Sequence, residues 1–358
     1  MNAVNWEVGS TWYADNFRTE SGLSNHLHKL VEGDDFTLLS TCRSAISIIL
    51  QTIGHSGRAL VPSFTCLTVV SPFINAGYEV RGYPVKENLE IDIDGLSKLV
   101  DSFRPNVILI HSYFGFDTVS NAAEYLAWCR AQGIIIVEDR TQTMFSSFIR
   151  PEPDYTIGSI RKWLPVPDGA FLSGLRIQEL NEDSELAEAK IKAMRAKHSY
   201  IFYGKGDKDE FMPQFSMAEH MLDLQASPHA ISKYTLSALD ALDSCRFAVC
   251  RRNNYNTLIN RLLPHHELSV IFQNASEVDV PFLLPIYMTD GRKDFQAYMA
   301  RHNVYPTIIW TCPVELDKAI ASESRKIYDK ILCFHVDQRY DTNDMNRVAD
   351  IIDSYFEQ

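Results

Sequence analysis

The sequence predicts an α/β protein: a large domain built on a doubly wound, mixed but mostly parallel sheet, followed by a small α+β C-terminal domain. Three observations carry this. Val107–Ile110 and Gly133–Val137 are short, wholly apolar runs, the pattern of strands buried on both faces. A helical stretch, Asn121–Ala131, separates them, and a βαβ unit of that kind requires a parallel pairing with a right-handed crossover. After Pro264 the texture changes to shorter alternating strands and helices.

In chain order, residues 36–61 read as a buried strand, a turn, a helix and a second strand. Ile46, Ile49 and Leu50 fall on one helical face, and His55-Ser56-Gly57 ends the helix. Phe64–Ala76 reads as a helix stopped by Gly77, and Tyr78–Val85 as a strand. Asp94–Phe103 reads as a helix with Asp94 as its N-cap. Beyond the βαβ unit, strands are expected at Tyr155–Ser159 and Ala170–Ser173. Residues 183–225 are helical and charged, broken at Gly204 and Gly206, and Lys233–Leu263 reads as one long helix. Strands at Val280–Met288 and Ile331–Val336 flank a helix at Asp294–Arg301, and a helix at Asp344–Phe356 closes the chain. The expected division is 1–245 for the large domain, N-terminal segment included, and 246–358 for the small one.

Composition excludes several classes. Of 358 residues, 46% are hydrophobic and 22% charged, which fits a soluble globular chain and not a disordered or fibrous one. The net charge of −12 argues against a nucleic-acid or anionic-lipid surface, since both need concentrated Lys and Arg. The seven cysteines form no CxxC pair and no zinc spacing, so reduced thiols in a cytoplasmic protein and no metal site are expected. The first residues lack the basic and apolar regions of a signal peptide, and no apolar run approaches the roughly 18 residues of a membrane span.

Ligands of open α/β sheets bind at the carboxyl ends of the strands, and four features fall there. Thr41-Cys42-Arg43-Ser44 lies at a helix N-terminus, where free N–H groups and the helix dipole favour phosphate. His111 follows one apolar strand, and Asp139 lies two residues past the other. Ser159-Ile-Arg-Lys162 places a lysine in a turn between apolar segments. A phosphate cup, a buried carboxylate and a lysine together suggest pyridoxal 5'-phosphate. Lys162 would form a Schiff base with its aldehyde, Asp139 would pair with the pyridine nitrogen, and Phe64 would stack on the ring. Each feature alone has a plainer reading, as an N-cap, a solvated loop or a surface charge; their order on successive strand ends is the specific signal.

These residues resemble the fold-type I pyridoxal-phosphate enzymes, and among them the DegT-like sugar aminotransferases, from about residue 36 to the C-terminus. Val137-Glu-Asp-Arg-Thr-Gln142 is similar to the family's VEDAAQ, which implies that Asp139 meets the pyridine nitrogen and Gln142 the phenolic oxygen. Lys162-Trp-Leu-Pro-Val-Pro-Asp-Gly-Ala170 tracks K-x-L-x-x-G-[ED]-G-G with the lysine in register, and His111-Ser-Tyr-Phe-Gly115 is like H-x-Y-G. Arg251-Arg-Asn-Asn-Tyr255 resembles the segment that opens the family's small domain. The chain departs from the family at its phosphate loop, where Cys42-Arg43 stands for G-T, so that Ser159 becomes a phosphate donor. It departs again near Ser227-Pro-His229, where the family places an Asn that crosses a dimer to the phosphate; Ser227 takes that place here.

The resemblance implies an aminotransferase: Lys162 is displaced by an amino donor, expected to be glutamate, then moves the proton between the α-carbon and the cofactor. A carbonyl substrate, expected to be a keto-sugar of polysaccharide or secondary-metabolite biosynthesis, receives the amine. Another reaction of the same cofactor, elimination or decarboxylation, and a non-catalytic relic remain open alternatives. Arg161, Arg140 and Arg339 are the candidates for clamping the donor's carboxylate. Trp12, Tyr13, Tyr203 and Trp310 are the candidates for an aromatic acceptor site in place of a cationic nucleotide loop. A homodimer with shared active sites is expected, with small molecules as the other partners.

Overall fold

The computed structural model describes residues 3–14, 35–54, 56–148, 151–225, 227–240, 244–317, 320 and 322–357. A two-residue strand, β1 (Val8–Gly9), opens it. Seven strands follow: β2 (Phe36–Leu39), β3 (Gly57–Pro62), β4 (Tyr78–Tyr83), β5 (Val107–Ile110), β6 (Ile135–Asp139), β7 (Tyr155–Gly158) and β8 (Ala170–Ser173). They form one sheet in the order β2-β8-β7-β6-β5-β3-β4. β8 runs antiparallel to β2 and β7, and the other adjacent pairs are parallel.

The apolar runs dictate this layer. All four residues of β5 are buried. Ile108 and Ile110 enter one core while Val107 and Leu109 enter the other, so helices must cover both faces. The expected βαβ unit is present, with a helix at Ala123–Ala131 joining β5 to β6. The helix Cys42–Ile53 buries Ile46, Ile49 and Leu50 as its periodicity predicts, and it ends at Gly54, one residue before the expected His55-Ser56-Gly57 stop. His55 lies outside the described residues.

A second sheet has the order β12-β10-β9, from β9 (Leu268–Val270), β10 (Leu284–Met288) and β12 (Ile331–Phe334), all antiparallel. Between the last two, β11 (Val304–Tyr305) pairs with β1 in parallel. One apolar cluster runs from Ile108 through Tyr255 and Leu262 to Ile286 and Leu332, so the two sheets share a core.

Some boundaries correct the sequence reading. Asp92, not Asp94, caps the helix Ile93–Phe103, accepting from the Gly95 N–H at 3.3 Å. Asp94 sits in the first turn, where a carboxylate also suits the dipole. The expected single helix from Lys233 is described as Lys233–Asp240 and Ser244–Leu262. The charged stretch 183–225 is a helical hairpin, Ser184–Tyr203 and Lys208–Asp223. Gly204 closes its first arm in the left-handed region at φ 62°, and the Asp207 side chain caps the second.

Candidate active site

β4 and β5 flank β3, so the chain reverses its direction across the sheet at that strand, which is where an open α/β sheet leaves a crevice. A cleft of about 540 Å³ lies there. Cys42 beyond β2, Cys66 beyond β3, His111 beyond β5, Asp139 at the end of β6 and Ser159 beyond β7 all line it.

At the helix start, the Thr41 hydroxyl accepts from the Ser44 N–H at 3.1 Å and so serves as the N-cap. The first-turn N–H groups, those of Cys42 and Arg43 included, have no partner inside the helix and remain for an anion. Burial, and then the nearby Asp139, push the Cys42 thiol well above its usual range, so it stays neutral. The Arg43 side chain turns to the helical hairpin, where Nη1 meets Asp223 at 2.9 Å and Nη2 donates to the Leu222 carbonyl at 2.9 Å.

Asp139 is the last residue of β6, not a residue beyond it, and it is 7% exposed. Burial raises its pKa, and hydrogen bonds from Thr141 counter this; the Thr141 N–H lies 2.8 Å from Oδ1. Sequence reasoning missed Thr141, which ties the carboxylate to the lysine turn. Its hydroxyl accepts from the Ser159 N–H at 3.1 Å, and its carbonyl accepts the Trp163 indole N–H at 2.5 Å. Lys162 ends the short 3-10 turn Ile160–Lys162 and is open to solvent where it lines the cleft. The adjacent Arg161 guanidinium, and then desolvation, lower its amine to about 8.

The Gln142 amide oxygen accepts the Phe114 N–H at 2.7 Å, which leaves its NH₂ as the group available to the cleft. His111 is buried and its Nε2 has no hydrogen-bond partner among the described residues; burial lowers its pKa to about 3, so the ring is neutral. Phe64 corrects the sequence reading. It is fully buried behind the cleft, 4.9 Å from Trp310 and 5.5 Å from Tyr113, and lines no part of it. His111, with its ring 4.4 Å from that of Tyr113, is the flat group at the surface of the site. Ser227 is exposed and does not line this cleft, so its contact with a bound group would have to be made in another copy of the chain.

Two groups that the sequence did not single out come from the hairpin. Lys190 and Glu219 pair with each other and line the cleft, and Arg161 Nη1 lies 3.2 Å from Glu219. Burial opposes ionisation of Glu219, but Arg161 and Lys190 hold its carboxyl down to about 2. Helical periodicity would identify a buried face here but not what that face meets. Of the arginine candidates, Arg161 and Arg339 line the cleft and Arg140 does not. Of the aromatic candidates, Trp12 and Trp310 line it. Tyr13 packs on Phe202 at 5.1 Å, and Tyr203 is 51% exposed, so neither does.

No protein-family model and no curated protein matches the sequence. Solved structures do match its shape. The aminotransferase TlmJ from Streptoalloteichus hindustanus is 15% identical, with a TM-score of 0.67 over 92% of this chain and 88% of its own. A DegT DnrJ EryC1 StrS aminotransferase from Brucella abortus is 16% identical, with a TM-score of 0.65 over 93% and 89%. Helicobacter pylori PseC, an aminotransferase involved in pseudoaminic acid biosynthesis, is 13% identical, with a TM-score of 0.69 over 98% and 100%. The chain shares the fold of these enzymes, fold-type I. Among the described residues no helix is long and apolar enough to cross a membrane.

Proposed function

We propose that the chain is a pyridoxal-phosphate-dependent aminotransferase that takes an amino group from glutamate and gives it to a keto-sugar. The observation that carries this is one cleft holding Lys162 beyond β7, the buried Asp139 at the end of β6 and an open helix N-terminus beyond β2. The site has a place for a flat heteroaromatic phosphate. Nε2 of His111 is buried with no hydrogen-bond partner among the described residues, which leaves it for a polar atom of a bound group, and the neutral imidazole offers its face to a ring. The N–H groups of Cys42 and Arg43, with Ser159, would hold the phosphate; Asp139 would hold the ring nitrogen and Gln142 the phenolic oxygen.

When bound, the cofactor supplies a carbonyl that takes up the donor's amine and an electron sink for charge at the α-carbon. Lys162 Nζ, lowered to about 8, offers a lone pair near neutral pH and moves the proton at the α-carbon. Burial works against charge on Asp139 and the Thr141 bonds work for it; a protonated ring nitrogen beside it would favour the carboxylate, and the carboxylate in turn the protonated ring. In this reading residues 1–245 carry the cofactor, residues 246–358 close the cleft, and a homodimer in the cytoplasm is the working form. Borohydride reduction of the cofactor-loaded protein, followed by peptide mapping, should label Lys162. Label on Lys190 or Lys197 instead would remove the assignment. Formation of one equivalent of keto acid from glutamate separates transamination from elimination or decarboxylation, and no reaction at all would leave a non-catalytic relic.

A further inference from the structure

We propose that Arg161 reads the carboxylate of the amino donor, that Glu219 and Lys190 complete its subsite, and that this subsite accepts a single negative charge. The inference rests on the aminotransferase reading above. Among the described residues four guanidinium groups line the cleft, and their bonding separates them. Arg339 engages all three nitrogens: Nε and Nη2 meet Asp337 at 2.8 Å each, and Nη1 donates to the Thr11 carbonyl at 3.1 Å. Arg251 donates from Nε to Gln338 at 2.9 Å and from Nη1 to the Pro281 and Phe282 carbonyls, with its face 4.5 Å from the Trp163 ring. Arg43 engages two nitrogens on the hairpin.

Arg161 is different. A single nitrogen, Nη1, is shared between the two oxygens of Glu219 at 3.2 and 3.4 Å. Nε and Nη2 donate to no described residue, and the edge they form is one that a carboxylate binds bidentately. Arg161 and Lys162 both line the cleft, so an anion held by the guanidinium shares that space with the reacting amine. Charge sets the capacity. With Lys162 committed to the cofactor, Arg161 and Lys190 bring two positive charges and Glu219 one negative, which leaves one positive charge to be neutralised. A carboxylate matches it and a diphosphate exceeds it. The other guanidinium groups are each held by the protein at two or three nitrogens, so in this proposal the acceptor is an uncharged carbonyl compound that meets the rings of Trp12 and Trp310 in place of a cluster of free cations.

The test is calorimetric titration of the cofactor-loaded protein with 2-hydroxyglutarate, which keeps the carboxylates of glutamate but has no amine to react. Arg161→Gln should weaken binding by about ten- to a hundred-fold, the worth of a charge-assisted pair, and Arg161→Lys should recover part of it. Glu219→Gln should tighten binding, because it removes the competing carboxylate. A purely structural ion pair predicts the opposite, since either substitution would then weaken binding. Uridine diphosphate should show no binding where 2-hydroxyglutarate saturates. Unchanged affinity in Arg161→Gln, weaker affinity in Glu219→Gln, or tight binding of uridine diphosphate would each overturn the proposal. If Lys162 takes no borohydride label while 2-hydroxyglutarate binding still depends on Arg161, the cofactor reading fails and the anion subsite stands.

Discussion

Lys162 and Asp139 show how neighbours set the chemistry of a site. A free lysine titrates near 10.4 and is almost wholly charged at neutral pH. The Arg161 guanidinium makes a second charge beside Lys162 unfavourable, desolvation adds to this, and the amine falls to about 8. Lowering a base's pKa raises its neutral fraction at a given pH, so reactivity should climb as pH rises through 8 and then level off. In the cofactor-free protein, acylation of Lys162 followed by mass spectrometry should reach half its maximal rate near pH 8. Lysines with no such cationic neighbour should need about pH 10. Arg161→Ala should move the Lys162 midpoint upward, since the largest cause of the shift is gone; a midpoint that stays put would discard this account. Asp139→Asn makes the complementary test. The amide keeps the shape and an acceptor for the Thr141 N–H, so the cofactor should still load. Loss of the negative charge should slow α-proton transfer by about a hundred-fold or more, which single-turnover absorbance would read directly.

The elements place these residues, and they differ in how far the sequence disclosed them. Val107–Ile110 was legible whole, and Gly133–Val137 marked the apolar part of a strand that runs Ile135–Asp139, because strands buried on both faces leave an uninterrupted apolar run and the residues at its carboxyl end are fixed at the cleft by geometry. Leu268–Val270 and Val8–Gly9 were not legible, since two or three residues carry no period and depend on distant partners for their pairing. Glu219 escaped for another reason: its partners, Arg161 and Lys190, are 58 and 29 residues away and meet it only once the hairpin folds over the cleft. Asp168 is an intermediate case. Its register after Lys162 was visible, but not its task. It accepts from the Ser232 N–H at 2.9 Å, the Ser232 hydroxyl at 2.7 Å and the Thr235 hydroxyl at 2.5 Å, and so ties the lysine loop to the helix Lys233–Asp240. Asp168→Ala strands these buried donors and should destabilise the protein by about 2–4 kcal/mol, read as a lower denaturant midpoint. Asp168→Asn, which keeps acceptors for part of the set, should lose less; equal losses would mean that volume and not hydrogen bonding is at stake.

At the scale of the molecule, the helical hairpin has two faces with opposite duties. One face supplies Lys190 and Glu219 to the cleft. Met217 on its second helix is 65% exposed, and Leu224, just past the end of that helix and seven residues on, is 67% exposed; the seven-residue spacing puts both on one helical stripe, and exposed large apolar side chains suit a protein contact. Ser227 follows three residues later and cannot serve the cleft of its own chain. A two-fold contact through this region would carry the same segment of each copy towards the other, which is the arrangement that gives Ser227 a cofactor to touch. The two faces are mechanically joined, because Arg43 at the helix start bonds Asp223 and Leu222, the residues next to Leu224. Disturbing the contact should therefore loosen the phosphate cup. The protein should sediment as a dimer at micromolar concentration, and Leu224→Asp should shift it to monomer and weaken retention of the cofactor on dialysis. Wild-type protein that sediments as a fully active monomer would refute the shared site. A dimer untouched by Leu224→Asp would move the contact to another surface and leave Ser227 without a role.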